Sequence, residues 1–187
     1  MAILNGVLYY NYPALNPGDR GFYAVDLRTG ETLWYQNTTN TLRCAQVYNV
    51  LNPNQEGGIA YLWSMSGSTW YMYDAFTGNQ ILKIANVTSG SNNFCGGGNI
   101  VEGPNGELDV YVLDSANNWL AMWNSSKCIG PIAWNWRPQR GSTLNWQDGV
   151  QWNVTIQGYP AETLYFINSG VILATTGGFS EPMNSEM

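Results

Sequence analysis

The chain has 187 residues, of which 44% are hydrophobic and only 11% charged, and its formal net charge is −6. A chain of this length and apolar content can bury a substantial core. Its seven Lys and Arg residues are scattered, which argues against nucleic-acid binding because that function needs clustered basic side chains. The complete lack of histidine removes the most common general base and a frequent metal ligand.

The residue composition predicts an all-β fold. Aromatic residues make up 14% of the chain, with nine Trp and twelve Tyr, and there are 21 glycines. Aromatic residues favour strands, whereas glycine favours tight turns. Runs of Ala, Glu, Lys and Leu, which are typical of helices, are nearly absent.

Along the chain, the first predicted strand follows a turn at Gly6 and covers residues 7–12. Two prolines within 13–19 predict a loop, because proline cannot donate to a strand ladder. Residues 22–34 then predict a hairpin with a tight turn, since successive side chains there divide with a period of two. A further strand over 44–51 completes a predicted four-stranded unit.

The turn of this hairpin recurs further along the chain. Asp26 and Gly30 are followed, at a distance of 48 residues, by Asp74 and Gly78. A third copy keeps the strand but carries Asn124 in the aspartate position. The chain therefore contains an internal repeat.

Glycines at the start of successive units recur at a spacing typical of propeller blades. The intervals between them are 52, 48 and 64 residues, and the glycines are Gly6, Gly58, Gly106 and Gly170. Repeats of this length with four strands each are the signature of β-propellers. The sequence therefore predicts one partial propeller domain over 1–187. Its blades are expected at about 5–54, 55–103 and 104–168, with an insertion at 128–148 and the start of a further blade at 169–187.

The first hairpin resembles a known repeat signature. It matches the A-x-D-x-x-T-G-x-x-x-W pattern of the PQQ-like (quinoprotein-type) β-propeller repeat at Ala24, Asp26, Thr29, Gly30 and Trp34. The second copy keeps part of this pattern, namely Asp74, Thr77 and Gly78. The resemblance implies consecutive propeller blades. It also implies that Trp34 docks in the gap between neighbouring blades.

The same resemblance implies an alternative function, a fragment of a PQQ-dependent dehydrogenase. In those enzymes the cofactor lies in an axial channel between a tryptophan and a disulfide of adjacent cysteines, beside a calcium ion held by acidic and amide side chains. This sequence has no adjacent cysteines and no assignable calcium cluster. We therefore predict no cofactor, no metal ion and no catalytic residue.

Asp26 and Asp74 allow two interpretations. Paired carboxylates perform general acid–base chemistry in many enzymes. In a tight turn, by contrast, an aspartate accepts hydrogen bonds from backbone N–H groups a few residues further on. The position of both residues directly before a turn favours the structural role.

The predicted insertion is the best candidate for a ligand surface. It holds several aromatic and basic side chains, Trp134, Trp136, Arg137, Arg140 and Trp146. Exposed indoles stack on sugar faces, and arginine adds charge-assisted hydrogen bonds, so a carbohydrate-binding module is a further alternative. The opposing interpretation is that these rings pack over the edge of a blade as a small core.

Three cysteines, Cys44, Cys95 and Cys128, lie far apart and lack C-x-x-C spacing. Two arrangements are open, either three inert thiols or one disulfide with one thiol left over. Four N-x-[ST] sequons predict glycosylation of an extracellular or cell-surface protein at Asn37, Asn86, Asn124 and Asn153. No apolar run of 18 residues predicts a membrane-spanning helix, and residues 1–4 are too short for a signal peptide.

These patterns together favour a non-catalytic propeller scaffold or binding module. A partial propeller leaves two broad apolar blade faces open, which soluble monomers rarely tolerate. The chain is therefore expected either to be a fragment of a longer protein or to associate with further copies of itself. Protein partners are expected, with glycans as a second class of partner.

Overall fold

The computed structural model describes residues 1–13, 20–49, 57–88, 94–95, 99–114, 118–130, 138–156, 163–168 and 171–175. Within these residues the chain forms fifteen β-strands, one short α-helix and one short 3₁₀ helix. The predicted all-β class is confirmed. No helix in this part of the chain is long and apolar enough to cross a membrane.

Sheet 1 is an antiparallel meander near the N-terminus. Its strands are β1 (Ala2–Leu4), β2 (Val7–Asn11), β3 (Phe22–Asp26) and β4 (Thr32–Gln36). The turn between β1 and β2 places Asn5 and Gly6 at positive φ, 47° and 78°. Two successive positive φ values give a turn whose twist matches the twist of the flanking strands, which explains why this dipeptide joins them.

Sheet 2 has five strands. Four of them form an antiparallel meander, β5 (Thr41–Asn49), β6 (Gly58–Ser66), β7 (Thr69–Asp74) and β8 (Gln80–Ala85). The fifth, β12 (Thr143–Asn145), comes from the predicted insertion and pairs in parallel with β8. The expected four-stranded unit thus gains an edge strand from later in the chain.

Sheet 3 has four antiparallel strands, β9 (Ile100–Glu102), β10 (Leu108–Asp114), β11 (Trp119–Asn124) and β13 (Val150–Thr155). The segment between β11 and β13 begins with α1 (Ser125–Ile129), which is capped by the Asn124 side chain, and ends in the 3₁₀ helix (Trp146–Gly149). The insertion was expected at 128–148, whereas the departure from the strand begins at Ser125. Beyond sheet 3, β14 (Thr163–Asn168) and β15 (Val171–Thr175) pair with each other as sheet 4.

The strands are grouped into sheets differently from the predicted units. The strand expected to close the first unit, β5, pairs with β6 and opens sheet 2. Residues 163–168, expected to close the third unit, likewise open sheet 4. Gly6, Gly58 and Gly106 lie at or beside the connections between the first and second strands of their sheets, and Gly170 is outside the described residues. Periodicity sets the length of a repeat, but only strand pairing decides where each sheet begins.

Sheet 2 is the central layer, because both of its faces are buried. Ala60, Leu62 and Tyr73 belong to a cluster shared with Phe22 and Ala24 of sheet 1. The residues between these along the same strands point to the opposite face and belong to a second cluster, shared with sheet 3. Its buried members include Tyr61, Trp63, Trp70 and Met72 from sheet 2, and Val110, Val112, Ala121 and Trp123 from sheet 3. The period of two thus divides each strand of sheet 2 between two neighbours.

Sheets 1, 2 and 3 have the same orientation, in that equivalent faces point toward the next sheet in chain order. Counting back from Asp26 and Asp74, the second and fourth residues face the next sheet; these are Ala24 and Phe22 in sheet 1, and Met72 and Trp70 in sheet 2. The first and third residues face the preceding sheet, as Tyr73 and Tyr71 do in sheet 2 and Trp123 and Ala121 do in sheet 3. We call these the forward and rear faces. The sheets are therefore stacked head to tail.

One disulfide reinforces this stack. Cys44 on β5 is bonded to Cys95, with a Cα–Cα distance of 5.6 Å, and Cys128 is a buried free thiol. Of the two arrangements that the sequence left open, the structure has one disulfide and one leftover thiol. Phe94 is fully buried and stacks on Trp70 at 3.9 Å between ring centroids. Phe94 and Cys95, which lie between sheets 2 and 3 in sequence, are thus attached to sheet 2 by the disulfide and by the stacking on Trp70.

Replacing Cys44 and Cys95 together by serine is expected to lower the free energy of unfolding by about 2–4 kcal/mol, because the bond closes a loop of 51 residues. Chemical denaturation followed by tryptophan fluorescence measures this change. The matched control is the wild type with reductant, which should fall to the stability of the double variant. A double variant as stable as the oxidised wild type would contradict the contribution of the disulfide.

Candidate functional site

The first repeated turn is built around the side chain of Asp26. Its Oδ1 accepts hydrogen bonds from the backbone N–H groups of Arg28 at 2.8 Å and Thr29 at 2.9 Å. The Gly30 N–H donates to the Asp26 carbonyl at 2.8 Å, and the Glu31 N–H donates to Thr29 Oγ1 at 3.2 Å. The backbone hydrogen bonds from Thr29 and Arg28 lower the pKa of Asp26, since they favour its charged form.

The second turn repeats this geometry. Asp74 Oδ1 accepts from the N–H groups of Phe76 at 2.9 Å and Thr77 at 3.1 Å, and the Gly78 N–H donates to the Asp74 carbonyl at 2.8 Å. Gly30 and Gly78 have nearly equal φ values of 74° and 71°. We call these turns, residues 26–30 and 74–78, corner 1 and corner 2. In each corner the carboxylate organises the backbone, as the structural interpretation of the aspartates expects.

Trp34 of sheet 1 lies against corner 2 of sheet 2. Its indole Nε1 donates a hydrogen bond to the Ala75 carbonyl at 3.2 Å, and the Tyr9 hydroxyl donates to the same oxygen at 3.1 Å. A Cβ on Gly78 would lie 2.7 Å from the Trp34 ring, so glycine is required there. Burial raises the pKa of Tyr9, so its hydroxyl remains a donor. The structure thus places the predicted docking residue between two neighbouring sheets.

The third turn, after Asn124, has a different backbone, but the side chain at its first position still accepts hydrogen bonds from the residues that follow. Asn124 Oδ1 accepts from the Lys127 N–H at 3.0 Å and from the Ser126 hydroxyl at 2.5 Å, which caps α1. Asn124 Nδ2 donates to the carboxylate of Asp109 at 2.6 Å. Burial raises the pKa of Asp109. The side chain that begins a tight corner in sheets 1 and 2 therefore begins a helix in sheet 3.

A buried polar seam joins sheet 2 to sheet 3. Gln46 Oε1 accepts from Trp63 Nε1 at 2.9 Å, while its Nε2 donates to the Gly106 carbonyl at 2.7 Å and to Ser125 Oγ at 3.1 Å. Ser125 Oγ also accepts from the Leu108 N–H at 2.8 Å. Sequence analysis missed Gln46 and Ser125, because they are 79 positions apart in sequence and only the packing of sheet 2 against sheet 3 brings them together.

Strand register places Trp152 in a position equivalent to that of Trp34, which sequence analysis missed. Trp34 pairs with Ala24 on the third strand of sheet 1, and Trp152 pairs with the equivalent Met122 on the third strand of sheet 3. Trp152 also contacts Tyr111 with 6.0 Å between ring centroids, as Trp34 contacts Tyr9 at 5.9 Å. The side chain of Trp152 is 38% exposed. The insertion separates it from the turn, so its equivalence to Trp34 is hidden in the sequence.

The predicted ligand surface is not assembled as expected. Trp146 is buried, with 2% exposure, and its carbonyl accepts from Trp123 Nε1 at 3.0 Å, so the idea that it is an exposed stacking surface is wrong. Arg140 lies at the surface and forms an ion pair with Asp74 at 3.2 Å. Trp134, Trp136 and Arg137 lie outside the described residues.

The four sequon asparagines differ in their surroundings. Asn37 and Asn86 are exposed just after β4 and β8, and Asn153 is exposed within β13. Asn37 Oδ1 accepts from the Arg20 side chain at 2.8 Å. Asn124 is only partly exposed, and both ends of its amide are engaged as described above. Its role in the structure is that of a helix cap.

A cavity of about 360 Å³ lies beside the disulfide. It is lined by Cys44, Ala45, Cys95, Asn99, Ile100, Glu102 and Leu108. This lining does not fit PQQ as the quinoproteins hold it, because its disulfide joins residues 51 positions apart instead of neighbours. Among the described residues, no group of three or more Cys, Asp or Glu side chains is placed to hold a metal ion.

The remaining thiol is not suited to nucleophilic chemistry. Burial raises the pKa of Cys128 to about 12, so the thiol is protonated at neutral pH. Its Sγ lies 3.6 Å from the Asn145 carbonyl.

No protein-family model matches the sequence, and no curated protein matches it.

Gly30→Ala and Gly78→Ala form a matched pair that tests the docking of Trp34. Both place alanine at positive φ, which costs about 1–2 kcal/mol. A Cβ at Gly30 meets nothing within 4 Å, whereas a Cβ at Gly78 meets the Trp34 ring, which should add about 1–3 kcal/mol. Urea denaturation measures the difference. Equal losses for the two variants would show that the indole does not pack tightly on corner 2.

Proposed function

We propose that this chain is a non-catalytic β-propeller scaffold that binds other proteins, as part of an extracellular or cell-surface protein. The observation that carries the proposal is the contact of Trp34 with Ala75 and Gly78, which joins one four-stranded sheet to the next. A docking tryptophan between successive sheets is what the resemblance to PQQ-like repeats implies. Head-to-tail stacking of sheets 1, 2 and 3 supports the same architecture.

The chemistry of the polar side chains supports a structural role over a catalytic one. The Asp26 and Asp74 carboxylates each accept two backbone hydrogen bonds, and Asp74 also pairs with Arg140. Cys128 is buried and protonated at neutral pH. These groups hold turns and core in place, and none of them is presented as an activated nucleophile with an adjacent base.

The extracellular assignment draws support from the disulfide. Disulfides persist in oxidising compartments and are rare in the cytosol. The Cys44–Cys95 bond is therefore consistent with a secreted or surface-exposed chain. Exposed sequon asparagines at positions 37, 86 and 153 agree with this setting.

The non-catalytic assignment predicts that the purified protein does not retain PQQ. Incubation with PQQ and Ca²⁺, followed by gel filtration, should leave no cofactor absorbance in the protein fraction, because the cavity offers no disulfide of adjacent cysteines. Serum albumin carried through the same steps measures non-specific retention. Stoichiometric retention of PQQ that depends on Ca²⁺ would instead support a dehydrogenase fragment.

The extracellular assignment predicts a specific pattern of glycosylation. After expression through the secretory pathway of a eukaryotic host, peptide mass spectrometry should find N-glycans on exposed sites among Asn37, Asn86 and Asn153. Asn124 serves as the internal control, because its amide caps α1 and bonds to Asp109. Glycans on Asn124 alone, or on none of the four, would contradict the assignment.

A further inference from the structure

The cavity beside the disulfide lies between the first strands of sheets 2 and 3. Cys44 and Ala45 of β5 line one side of it, and Ile100 and Glu102 of β9 line the other. Its volume is about 360 Å³. A water molecule takes up roughly 30 Å³ of liquid volume, and small-molecule sites begin at about 300 Å³. The cavity is therefore large enough for an organic ligand.

Most of the cavity wall is apolar. The disulfide, Ala45, Ile100 and Leu108 contribute this part of the lining. Leu108 is buried in the core that sheets 2 and 3 share, and Ile100 packs against that core. Such a wall suits the apolar body of a ligand, because burial of apolar surface is the dominant favourable contribution to most association.

Glu102 is the one charged residue among the described residues that line the cavity. It is exposed and forms no ion pair with a described residue. Strand register places it opposite Leu108, as Val47 lies opposite Ala60 in sheet 2. Ala60 and Leu108 are equivalent, because each precedes the residue that pairs with the first side chain of the following turn. A carboxylate thus occupies a position where the neighbouring sheet has an apolar side chain.

Hydrogen bonds hold the β9 side of the cavity in place. The Tyr111 N–H donates to the Asn99 carbonyl at 2.8 Å, and Asn99 Nδ2 donates to the Tyr111 carbonyl at 3.3 Å. Directly after Glu102, the Gly103 N–H donates to the Glu107 carbonyl at 2.8 Å. The disulfide holds the opposite side. A wall that is already ordered lowers the entropic cost of binding a ligand.

We propose that this cavity binds a small organic cation, in which a primary ammonium group is joined to an apolar body. The body packs against Leu108, Ile100 and the disulfide, and the ammonium group donates to the Glu102 carboxylate. Leu108 is only 6% exposed whereas Glu102 is exposed, so the apolar end of the ligand lies inward and the charged end lies at the mouth. The net charge of −6 also attracts cations. This inference is independent of the proposed scaffold role.

Titration with phenethylammonium tests the proposal, because this probe joins an ammonium group to an apolar ring through a short linker. Amide chemical shifts of ¹⁵N-labelled protein report both the dissociation constant and the location of binding. Phenethyl alcohol and phenylacetate are the matched control ligands, since the first removes the positive charge and the second replaces it with a negative one.

The largest shift changes are expected at Ile100, Glu102 and Leu108, with a dissociation constant below about 10 mM, the weak limit for a ligand of this size. Phenethyl alcohol should bind roughly tenfold or more weakly, because it forms no charge-assisted hydrogen bond. Glu102→Gln should weaken phenethylammonium binding by a similar factor. Glu31→Gln is the matched control, because it removes the same charge from an exposed position beside corner 1 and should leave the dissociation constant unchanged.

Four results would overturn the inference. They are no saturable binding of phenethylammonium below about 10 mM, shift changes that map away from the cavity, equal affinity for phenethyl alcohol, or equal affinities of Glu102→Gln and Glu31→Gln. The last result would show only a general attraction of cations to an acidic protein. Thermal melting followed by circular dichroism checks that both variants fold. The comparison of the three ligands uses the wild type and so does not depend on either variant.

Discussion

The contact between the Trp34 indole and corner 2 is the constraint on which the stack of sheets depends. Sheet 1 has one buried face, and small isolated sheets are only marginally stable in water. The indole fills the space above Gly78 and donates a hydrogen bond to the Ala75 carbonyl, so that its burial leaves no donor unsatisfied. Asp74 keeps this surface rigid by bonding the backbone of the turn.

Sheets 2 and 3 are joined by different means. Their shared core is dominated by aromatic rings, and Gln46 and Ser125 bond to each other across it, to the Trp63 indole and to the backbone of sheet 3. Gly106 approaches the Val47 carbonyl so closely that no side chain fits there. The insertion adds β12 to the edge of sheet 2 before returning to sheet 3. Sheet 3 is therefore attached to sheet 2 by the shared core, by the hydrogen bonds of Gln46 and Ser125, and by the insertion that pairs with β8.

This arrangement gives each residue of the repeated turn a structural purpose. An aspartate in the corner holds the turn, the glycine after it admits an indole, and the indole attaches the preceding sheet. Corner 1 has the same aspartate and glycine, but among the described residues nothing lies within 4 Å of the Cβ position at Gly30.

The sequence by itself determined the all-β class, the two aspartate corners and the importance of Trp34, because these are local signals. Turn chemistry acts within five residues, and strand periodicity is visible in a short window. The spacing of the glycines likewise revealed the length of the repeat.

Only the tertiary structure decided where each sheet begins, which cysteines pair and where the insertion goes. These outcomes depend on contacts between residues far apart, as between Gln46 and Ser125, and no local propensity encodes them. The position of Trp152 was hidden for the same reason, because its partner Met122 precedes the insertion while Trp152 follows it. Trp146, for which the sequence left open both an exposed and a packed position, is buried because the insertion folds back onto the core that sheets 2 and 3 share.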